Sequence, residues 1–324
     1  MKGWLFTGTH VPLKLVEKPD PVVVPGEVVI DVKASGLCHS DVAALEDPGW
    51  IGIITAHPMY MGHECAGVLT EIGKGVTGFK VGDRVGVCPI SASLTAKQGG
   101  VPYAIGYQRD GGYATKCLVP ADCLVYLPDS VSFVQGAAAT DAGMTAHHAL
   151  FTVGGAKKGT KVGIIGIGGL GQFASGMACI AGCEVYACEI TPEGRELAKE
   201  IGCHKVVENV TELAPFGCEL IVDYAGFGNT TAEALEVVAK HGKVVVVGMG
   251  KLEATINTGT LILKQAQVLG SNGGTTEDIK AVYDFFTTGK FNPQLSTITF
   301  DEIPEGLERL RRKGVKGRLV AVME

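Results

Sequence analysis

A glycine motif near the middle of the chain constrains the fold more than any other feature. The apolar run from Lys161 to Ile165 leads into Gly166-Ile167-Gly168-Gly169-Leu170-Gly171, which has the spacing G-x-G-x-x-G, and small apolar residues continue to about Ala181. With 46 glycines in the chain, chance matches to this spacing are expected. The predicted strand before the motif and the predicted helix after it therefore distinguish it from a chance match. This order is typical of a βαβ unit that binds a dinucleotide.

Each part of the motif has its own role in such a unit. Gly166 permits the tight turn, Gly168 lets the backbone approach a pyrophosphate, and Gly171 lets the helix pack closely on the strand. Gly169 and Leu170 lie where the helix N-terminus offers free N–H groups to the phosphates. We therefore predict that residues 166–171 bind a cofactor. A domain of the same architecture that binds another nucleotide, or none, is the alternative.

Glu189 indicates which dinucleotide is bound. It ends the second predicted strand, Glu184 to Cys188, at the place where an acid accepts hydrogen bonds from the adenosine ribose. A carboxylate there repels the 2′-phosphate of NADP. The residues directly after it supply no arginine to pair with that phosphate, although Arg195 is close in sequence. Glu189 therefore predicts NAD.

The two halves of the chain differ in their pattern. Up to about residue 142, short predicted strands are separated by turn glycines, whereas from about Lys161 six predicted strands alternate with helices. A predicted helix from about Phe133 to Phe151 links the halves. We predict an α/β protein, with a Rossmann doubly wound parallel sheet in residues 143–271. A discontinuous, mostly β catalytic domain would comprise residues 1–142 and 272–324, with the active site in the cleft between the domains.

Three residues of the first half suggest a metal site. Cys38 and His63 offer a thiolate and an imidazole, and Asp141 offers a carboxylate; these ligands suit Zn²⁺ and leave its fourth position open for water or substrate. No spacing rule joins residues so far apart. A lone Cys is more often a small buried apolar residue, and a lone His is more often structural.

The whole chain resembles a known family. Lys80-Val81-Gly82-Asp83-Arg84-Val85-Gly86, Asp110-Gly111-Gly112-Tyr113-Ala114 and Leu127-Pro128-Asp129 stand in the expected order between Gly62-His63-Glu64 and the glycine motif. They are similar to segments of zinc-dependent medium-chain dehydrogenases/reductases of the alcohol dehydrogenase type, whose catalytic domain is GroES-like. The resemblance implies that Cys38, His63 and Asp141 bind zinc and that Glu64 lies behind the metal. An Asp here replaces a Cys ligand without changing the formal charge.

The resemblance also implies roles in catalysis and cofactor binding. Ser40 would take the alcohol proton. The cofactor contacts would be Thr145 at the nicotinamide, Gly248 and Met249 at its amide, and His39 and Arg318 at the pyrophosphate. Alternatives remain for three of them: a hydroxyl bonded to its own helix for Thr145, a surface cation for Arg318, and exposure to solvent for His39.

Two departures from the family pattern change the predicted chemistry. The segment Val87 to Gly100, where larger members hold a structural zinc with four Cys, contains only Cys88. We therefore predict one zinc, without a structural site. Ala43 stands where a His commonly completes the proton relay, so the relay would end at a ribose hydroxyl and water, at His39 or at another nearby group.

Composition narrows the class and the partners. The chain has 324 residues, a charged fraction of 19% and a net charge of −6, so it lacks the basic footprint of a nucleic-acid-binding protein. Its apolar runs fall short of the ~20 residues of a membrane span. Its first residues lack the apolar h-region of a signal peptide, so none is expected. The ten Cys are scattered, which favours a reducing compartment. We expect a cytoplasmic homodimer or homotetramer that binds no nucleic acid and no membrane.

The predicted function is NAD-dependent, zinc-dependent oxidation of an alcohol and reduction of the matching carbonyl. By resemblance, Pro89 replaces a large aromatic at the pocket wall, and Tyr103, Tyr107 and Trp50 would partly fill the space or simply pack within the domain. We therefore expect a bulky, secondary or cyclic alcohol. One alternative is a zinc-bearing relative that reduces activated C=C or C=N bonds. Another is a cofactor-binding sensor without turnover.

Overall fold

The structure, a computed structural model, describes residues 1–47, 49, 54, 58–312 and 314–323. Its strands are β1 (Lys2–Phe6), β2 (Lys14–Glu17), β3 (Glu27–Leu37), β4 (Met59–Tyr60), β5 (Glu64–Ile72), β6 (Arg84–Val87), β7 (Lys116–Pro120), β8 (Leu124–Tyr126), β9 (Lys161–Ile165), β10 (Glu184–Cys188), β11 (Lys205–Val207), β12 (Leu220–Asp223), β13 (Lys243–Val246), β14 (Gln267–Gly270), β15 (Leu295–Thr299) and β16 (Arg318–Val322). Its α-helices are α1 (His39–Glu46), α2 (Ala92–Lys97), α3 (Phe133–Ala138), α4 (Met144–His147), α5 (Gly171–Ile180), α6 (Pro192–Ile201), α7 (Asn229–Val237), α8 (Thr258–Lys264), α9 (Thr276–Thr287) and α10 (Ile303–Arg311).

The chain forms two compact units. The first unit contains Met1–Asp141, Thr275–Tyr283 and Leu295–Glu324, and the second contains Ala142–Gly274 and Asp284–Gln294. The predicted return segment, 272–324, is therefore wrong in part, since residues 272–274 and 284–294 belong to the second unit. Aromatic packing explains the longer stretch, because Phe286 and Phe291 make edge contacts with Phe173 of α5, at ring-centroid distances of 6.3 and 5.5 Å.

The main sheet of the first unit is mixed and has β3 at its centre. Its strands follow the order β15-β16-β3-β5-β6-β8, and β7 also pairs with β3. The first half of β3 contributes β-branched residues to the core, and Val28, Val29 and Ile30 are fully buried. β3 runs antiparallel to β5, with Gly36 opposite Glu64. It also runs antiparallel to β16, with Leu37 opposite Leu319. The end of β3 therefore lies beside the start of β5 and the start of β16.

The second unit is built on a parallel six-stranded sheet. Its order is β11-β10-β9-β12-β13-β14, and every neighbouring pair is parallel. Numbered from β9, this is the Rossmann order 3-2-1-4-5-6, whose switch point lies between β9 and β12. The predicted α/β class, a Rossmann sheet plus a mostly β domain, is confirmed.

The predicted helix from Phe133 to Phe151 is not a continuous α-helix. α3 starts with a capping box, in which the Ser132 hydroxyl accepts the Gln135 N–H at 3.2 Å and the Gln135 side chain accepts the Ser132 N–H at 3.0 Å. Ala139–Gly143 then forms a π-helical turn, α4 follows, and His148–Val153 is π-helical again. Such wide turns occur often at functional sites. The first of them carries Asp141.

The glycine motif connects β9 to α5 in a tight turn. Gly166 has φ +86°, a conformation that side-chain-bearing residues rarely adopt. A Cβ atom at Gly171 would collide with the carbonyl oxygen of Gly166, so α5 can approach the turn only with glycine at this position. A Cβ atom at Gly168 would meet no atom within 4 Å. The two glycines therefore have different roles. Gly171 allows the helix to pack on the turn, and Gly168 leaves open space beside the backbone.

Gly171→Ala and Gly168→Ala separate these roles. In Gly171→Ala the methyl group collides with backbone, so we expect the free energy of unfolding to fall by about 1–3 kcal/mol. Gly168→Ala is the matched control. It should change the free energy of unfolding by less than about 0.5 kcal/mol and weaken NAD binding, because its methyl group occupies the open approach. Denaturant titration and NAD titration measure the two effects, and equal stability of the variants would contradict this account.

Candidate metal centre and nucleotide site

Four side chains with metal-binding atoms come together in the first unit. Cys38, His63, Glu64 and Asp141 each offer one such atom, and these atoms all lie within 4.8 Å of one another. Cys38 follows the last residue of β3, Glu64 begins β5, and Asp141 lies on the π-helical turn. The ladder between β3 and β5 places Gly36 opposite Glu64, which brings the Cys38 and His63 segments together.

The distances within this cluster fit a tetrahedral zinc ion. Asp141 Oδ2 lies 3.5 Å from Cys38 Sγ and 3.5 Å from His63 Nε2. Zinc bonds of about 2.0 Å to oxygen and about 2.3 Å to sulfur, at a tetrahedral angle, separate the two ligand atoms by about 3.5 Å. For oxygen and nitrogen the same construction gives about 3.3 Å. A thiolate, an imidazole and a carboxylate are therefore spaced as three ligands of one ion.

Asp41 orients the imidazole of His63. Its Oδ1 lies 3.3 Å from His63 Nδ1, and both atoms are buried without another hydrogen-bond partner among the described residues. Buried polar atoms need a partner, so we take these two as a pair. A proton on Nδ1 leaves the lone pair of Nε2 directed at the side of Cys38 and Asp141. This is the usual carboxylate–histidine arrangement behind a metal.

The other oxygen of Asp41 is held firmly. Asp41 Oδ2 accepts the Cys38 N–H at 3.0 Å and the Tyr113 hydroxyl at 2.6 Å. Asp41 is fully buried, so its carboxylate links the backbone of one proposed ligand to the ring of another. This role of Asp41 was not predicted from the sequence. The spacing was a usable signal, because an acid three residues after a helix N-cap can reach back to the N-cap N–H.

Arg318 lies within the metal cluster. Arg318 is 2% exposed, and its guanidinium donates to both Glu64 oxygens, through Nε at 3.1 Å and through Nη2. Nη2 also donates to Asp141 Oδ2 at 3.0 Å. The alternative interpretation as a surface cation is therefore wrong. Its contact with the pyrophosphate stays a prediction. Gly36 makes room for the Glu64 carboxylate that Arg318 binds, because a Cβ at position 36 would collide with that carboxylate.

The cluster carries more acidic than basic groups. Three carboxylates, those of Asp41, Glu64 and Asp141, face one guanidinium. Burial lowers the pKa of His63, but the Asp41 and Asp141 carboxylates outweigh burial and raise this pKa well above its usual value. The carboxylates around His63 therefore favour positive charge within the cluster, as a site for a divalent cation requires.

Ser40 has a hydrogen-bond partner that the sequence did not indicate. The Tyr107 hydroxyl donates to Ser40 Oγ at 2.9 Å. The Tyr107 ring also packs on His63, with 5.1 Å between ring centroids. Ser40 and Tyr107 are 67 positions apart in the sequence, so no local pattern could have predicted their contact.

The segment that would hold a structural zinc in larger relatives is organised by hydrogen bonds. Asp122 accepts the Ser91 hydroxyl at 3.0 Å and the Ser93 N–H at 2.7 Å, which fixes the start of α2. The Tyr103 N–H donates to Thr95 Oγ1 at 3.0 Å and thereby closes the loop after α2. Cys88 is buried, and burial raises the pKa of its thiol to about 11.

Glu189 lies beside the glycine motif in the second unit. Its Oε2 accepts the Ile167 N–H at 2.7 Å, and its Oε1 accepts the Thr191 N–H at 2.8 Å. Arg195, which could have paired with a 2′-phosphate, donates to the carbonyls of Glu189 and Ile190 at 3.0 and 2.7 Å. The Glu189 carboxylate is therefore fixed at the turn, and the Arg195 guanidinium is hydrogen-bonded to backbone carbonyls.

The remaining predicted cofactor contacts are placed as follows. Gly248 lies after β13, where a Cβ would collide with Ala225, and Met249 beside it is 56% exposed. Thr145 is buried in α4, and His39 is exposed as the first residue of α1. Their roles at the cofactor stay predictions. Trp50 lies outside the described residues. No described helix combines the length and apolar character that a membrane crossing requires.

Comparison with known proteins identifies both units. Residues 24–129 match the alcohol dehydrogenase GroES-like domain, and residues 169–288 match the zinc-binding dehydrogenase domain. An alcohol dehydrogenase of Geobacillus stearothermophilus is 34% identical over 337 residues, covering 99% of this chain and 98% of its own.

Two solved structures are similar along the whole chain. The acetophenone reductase of Geotrichum candidum, in complex with NAD, has a TM-score of 0.87 and 29% identity, covering 99% of this chain and 96% of its own. The 2R,3R-butanediol dehydrogenase of Bacillus subtilis has a TM-score of 0.88 and 25% identity, covering 99% of both chains. With its GroES-like unit, its Rossmann unit and a relative of this identity over its full length, the chain belongs to the zinc-type medium-chain alcohol dehydrogenases and is an NAD-linked oxidoreductase of alcohols and carbonyls.

Proposed function

We propose that Cys38, His63 and Asp141 hold the single zinc ion of this enzyme and that its substrate is a bulky secondary or cyclic alcohol. The observation that supports the metal site most strongly is the pair of 3.5 Å distances from Asp141 Oδ2 to Cys38 Sγ and His63 Nε2. When bound, zinc acts as a Lewis acid that lowers the pKa of an alcohol and polarises a carbonyl.

The protein groups around this site have separate roles. Asp41 fixes the tautomer and direction of His63, and Arg318 balances the Glu64 and Asp141 carboxylates. Ser40 takes the proton of the alcohol, or returns it to the oxygen in the reverse direction. When bound, the nicotinamide cofactor would provide the hydride acceptor for oxidation as NAD⁺ and the hydride donor for reduction as NADH. Residues 166–171 and Glu189 bind the pyrophosphate and the adenosine ribose.

The proposed substrate class rests on the family resemblance, which places Pro89 at the pocket wall. Pro89 is buried and is smaller than an aromatic side chain, and its carbonyl accepts the Ile105 N–H at 2.9 Å. Tyr107 is occupied by its contacts with His63 and Ser40, so it forms a fixed side of the site. A small residue at Pro89 leaves more room for the substrate carbon chain than an aromatic would.

We also propose a homodimer or homotetramer. β14 forms an open edge of the six-stranded sheet, and α8 before it exposes Ile262 and Leu263 by 70% and 80%. An open strand edge next to exposed apolar side chains favours pairing with another chain. Light scattering should give two or four times 33.8 kDa. A mass of one chain at micromolar concentration would contradict this proposal.

Cofactor choice can be tested at Glu189. We expect kcat/KM with NAD to exceed that with NADP by at least about tenfold, which corresponds to about 1.4 kcal/mol. Glu189→Gln keeps an acceptor for the Ile167 N–H but removes the charge, so the preference should shrink. Glu193→Gln, an exposed acid in α6, is the matched control and should leave the ratio unchanged. Equal kcat/KM for the two cofactors in the wild type would show that the interpretation of Glu189 is wrong.

A substrate panel tests the proposed function itself. NAD⁺ reduction is measured with primary, secondary, cyclic, polyol, aromatic and steroidal alcohols, and NADH oxidation with the matching carbonyls, enones and imines. We expect the highest kcat/KM for a bulky secondary or cyclic alcohol and its ketone. Ethanol equal to every larger alcohol would refute the Pro89 argument. Turnover confined to enones or imines would replace alcohol oxidation by C=C or C=N reduction.

A further inference from the structure

We propose that Tyr107 is the positioning residue for Ser40, an inference that rests on the proposed function. In this role the Tyr107 hydroxyl holds Ser40 Oγ in the orientation for proton transfer with the substrate. The hydrogen bond between Tyr107 Oη and Ser40 Oγ, at 2.9 Å, carries the inference.

The geometry keeps this hydroxyl in one place. Tyr107 is 8% exposed, and its ring lies against the imidazole of His63 with 31° between the ring planes. The loop that carries it is closed by backbone bonds, since Ile105 N donates to Pro89 O at 2.9 Å and Gly106 N donates to Arg109 O at 3.0 Å. A tyrosine fixed at both its ring and its backbone loses little entropy when its hydroxyl binds a partner.

Tyr107 is suited to donate. Its phenol O–H points at Ser40 Oγ across 2.9 Å, and a phenol is protonated at neutral pH. A serine hydroxyl has one proton and two acceptor positions. When Tyr107 fills one acceptor position, Ser40 keeps the other position and its own proton for exchange with the substrate and solvent. Ser40 is half-buried, so its hydroxyl retains contact with both.

The proton balance is simple. In alcohol oxidation, the alcohol O–H bond breaks and its proton passes to Ser40 Oγ while Ser40 releases its own proton to water. The hydride passes from the carbon to NAD⁺. The products are a carbonyl, NADH and one solvated proton, and Tyr107 is chemically unchanged. Its contribution is the orientation of Ser40. Ala43, on the same helix, has no polar group that could orient Ser40.

The test uses the zinc-loaded enzyme and the best alcohol of the substrate panel. Tyr107→Phe removes the hydroxyl and keeps the ring against His63. Ser40→Ala removes its partner, and the double variant closes a mutant cycle. Tyr126→Phe is the matched control, since the Tyr126 hydroxyl is exposed and donates to Gly78 O. The measurements are the single-turnover rate of NADH formation, kcat, KM, the solvent isotope effect and zinc content.

We expect Tyr107→Phe to lower the single-turnover rate and kcat by about tenfold, with KM and zinc content unchanged. The solvent isotope effect should change, and the double variant should be no slower than Ser40→Ala, since the two groups act as one unit. A Tyr107→Phe enzyme as fast as wild type, or effects that simply multiply in the double variant, would overturn this inference alone. A wild type that oxidises no alcohol with NAD⁺ would overturn the proposed function and the inference with it.

Discussion

The metal cluster depends on the register of β3 with its two neighbours. Because Gly36 lies opposite Glu64 and Leu37 lies opposite Leu319, the end of β3 meets the start of β5 and of β16. Glu64 and Arg318, which are 254 residues apart in sequence, thereby form a buried ion pair beside Cys38. A slip of one residue would turn Glu64 to the opposite face of the sheet. The spacing of the proposed ligands is therefore a consequence of strand pairing.

The sequence predicted those parts of the molecule that short patterns encode. The glycine motif and the alternation of strands and helices indicated the Rossmann sheet, and the residues around Cys38 and His63 indicated one metal site. It did not predict the π-helical turn at Asp141, because an apolar helix pattern looks the same for both kinds of turn. Nor did it predict the contacts of Arg318 and Tyr107, which depend on tertiary pairing. Asp41 could have been found from its position three residues after Cys38.

The segment between β6 and β7 is held in place by side-chain hydrogen bonds. Asp122 fixes the start of α2 through Ser91 and Ser93, and Thr95 receives the Tyr103 N–H. The same loop continues to Tyr107, which packs on His63. The segment therefore contacts the metal cluster through Tyr107, and side-chain caps fix the start of α2 within it.

The central claim is that one thiolate, one imidazole and one carboxylate bind a single zinc ion. X-ray absorption at the zinc edge, combined with metal analysis, tests it most directly. We predict one zinc per chain, with a single sulfur at about 2.3 Å and nitrogen or oxygen neighbours at about 2.0–2.1 Å. Asp141→Ala should lose the metal while still binding NAD, and exposed Asp129→Ala should retain both. Two tightly bound zinc ions per chain, more than one sulfur per zinc, or full zinc content in Asp141→Ala would contradict the account.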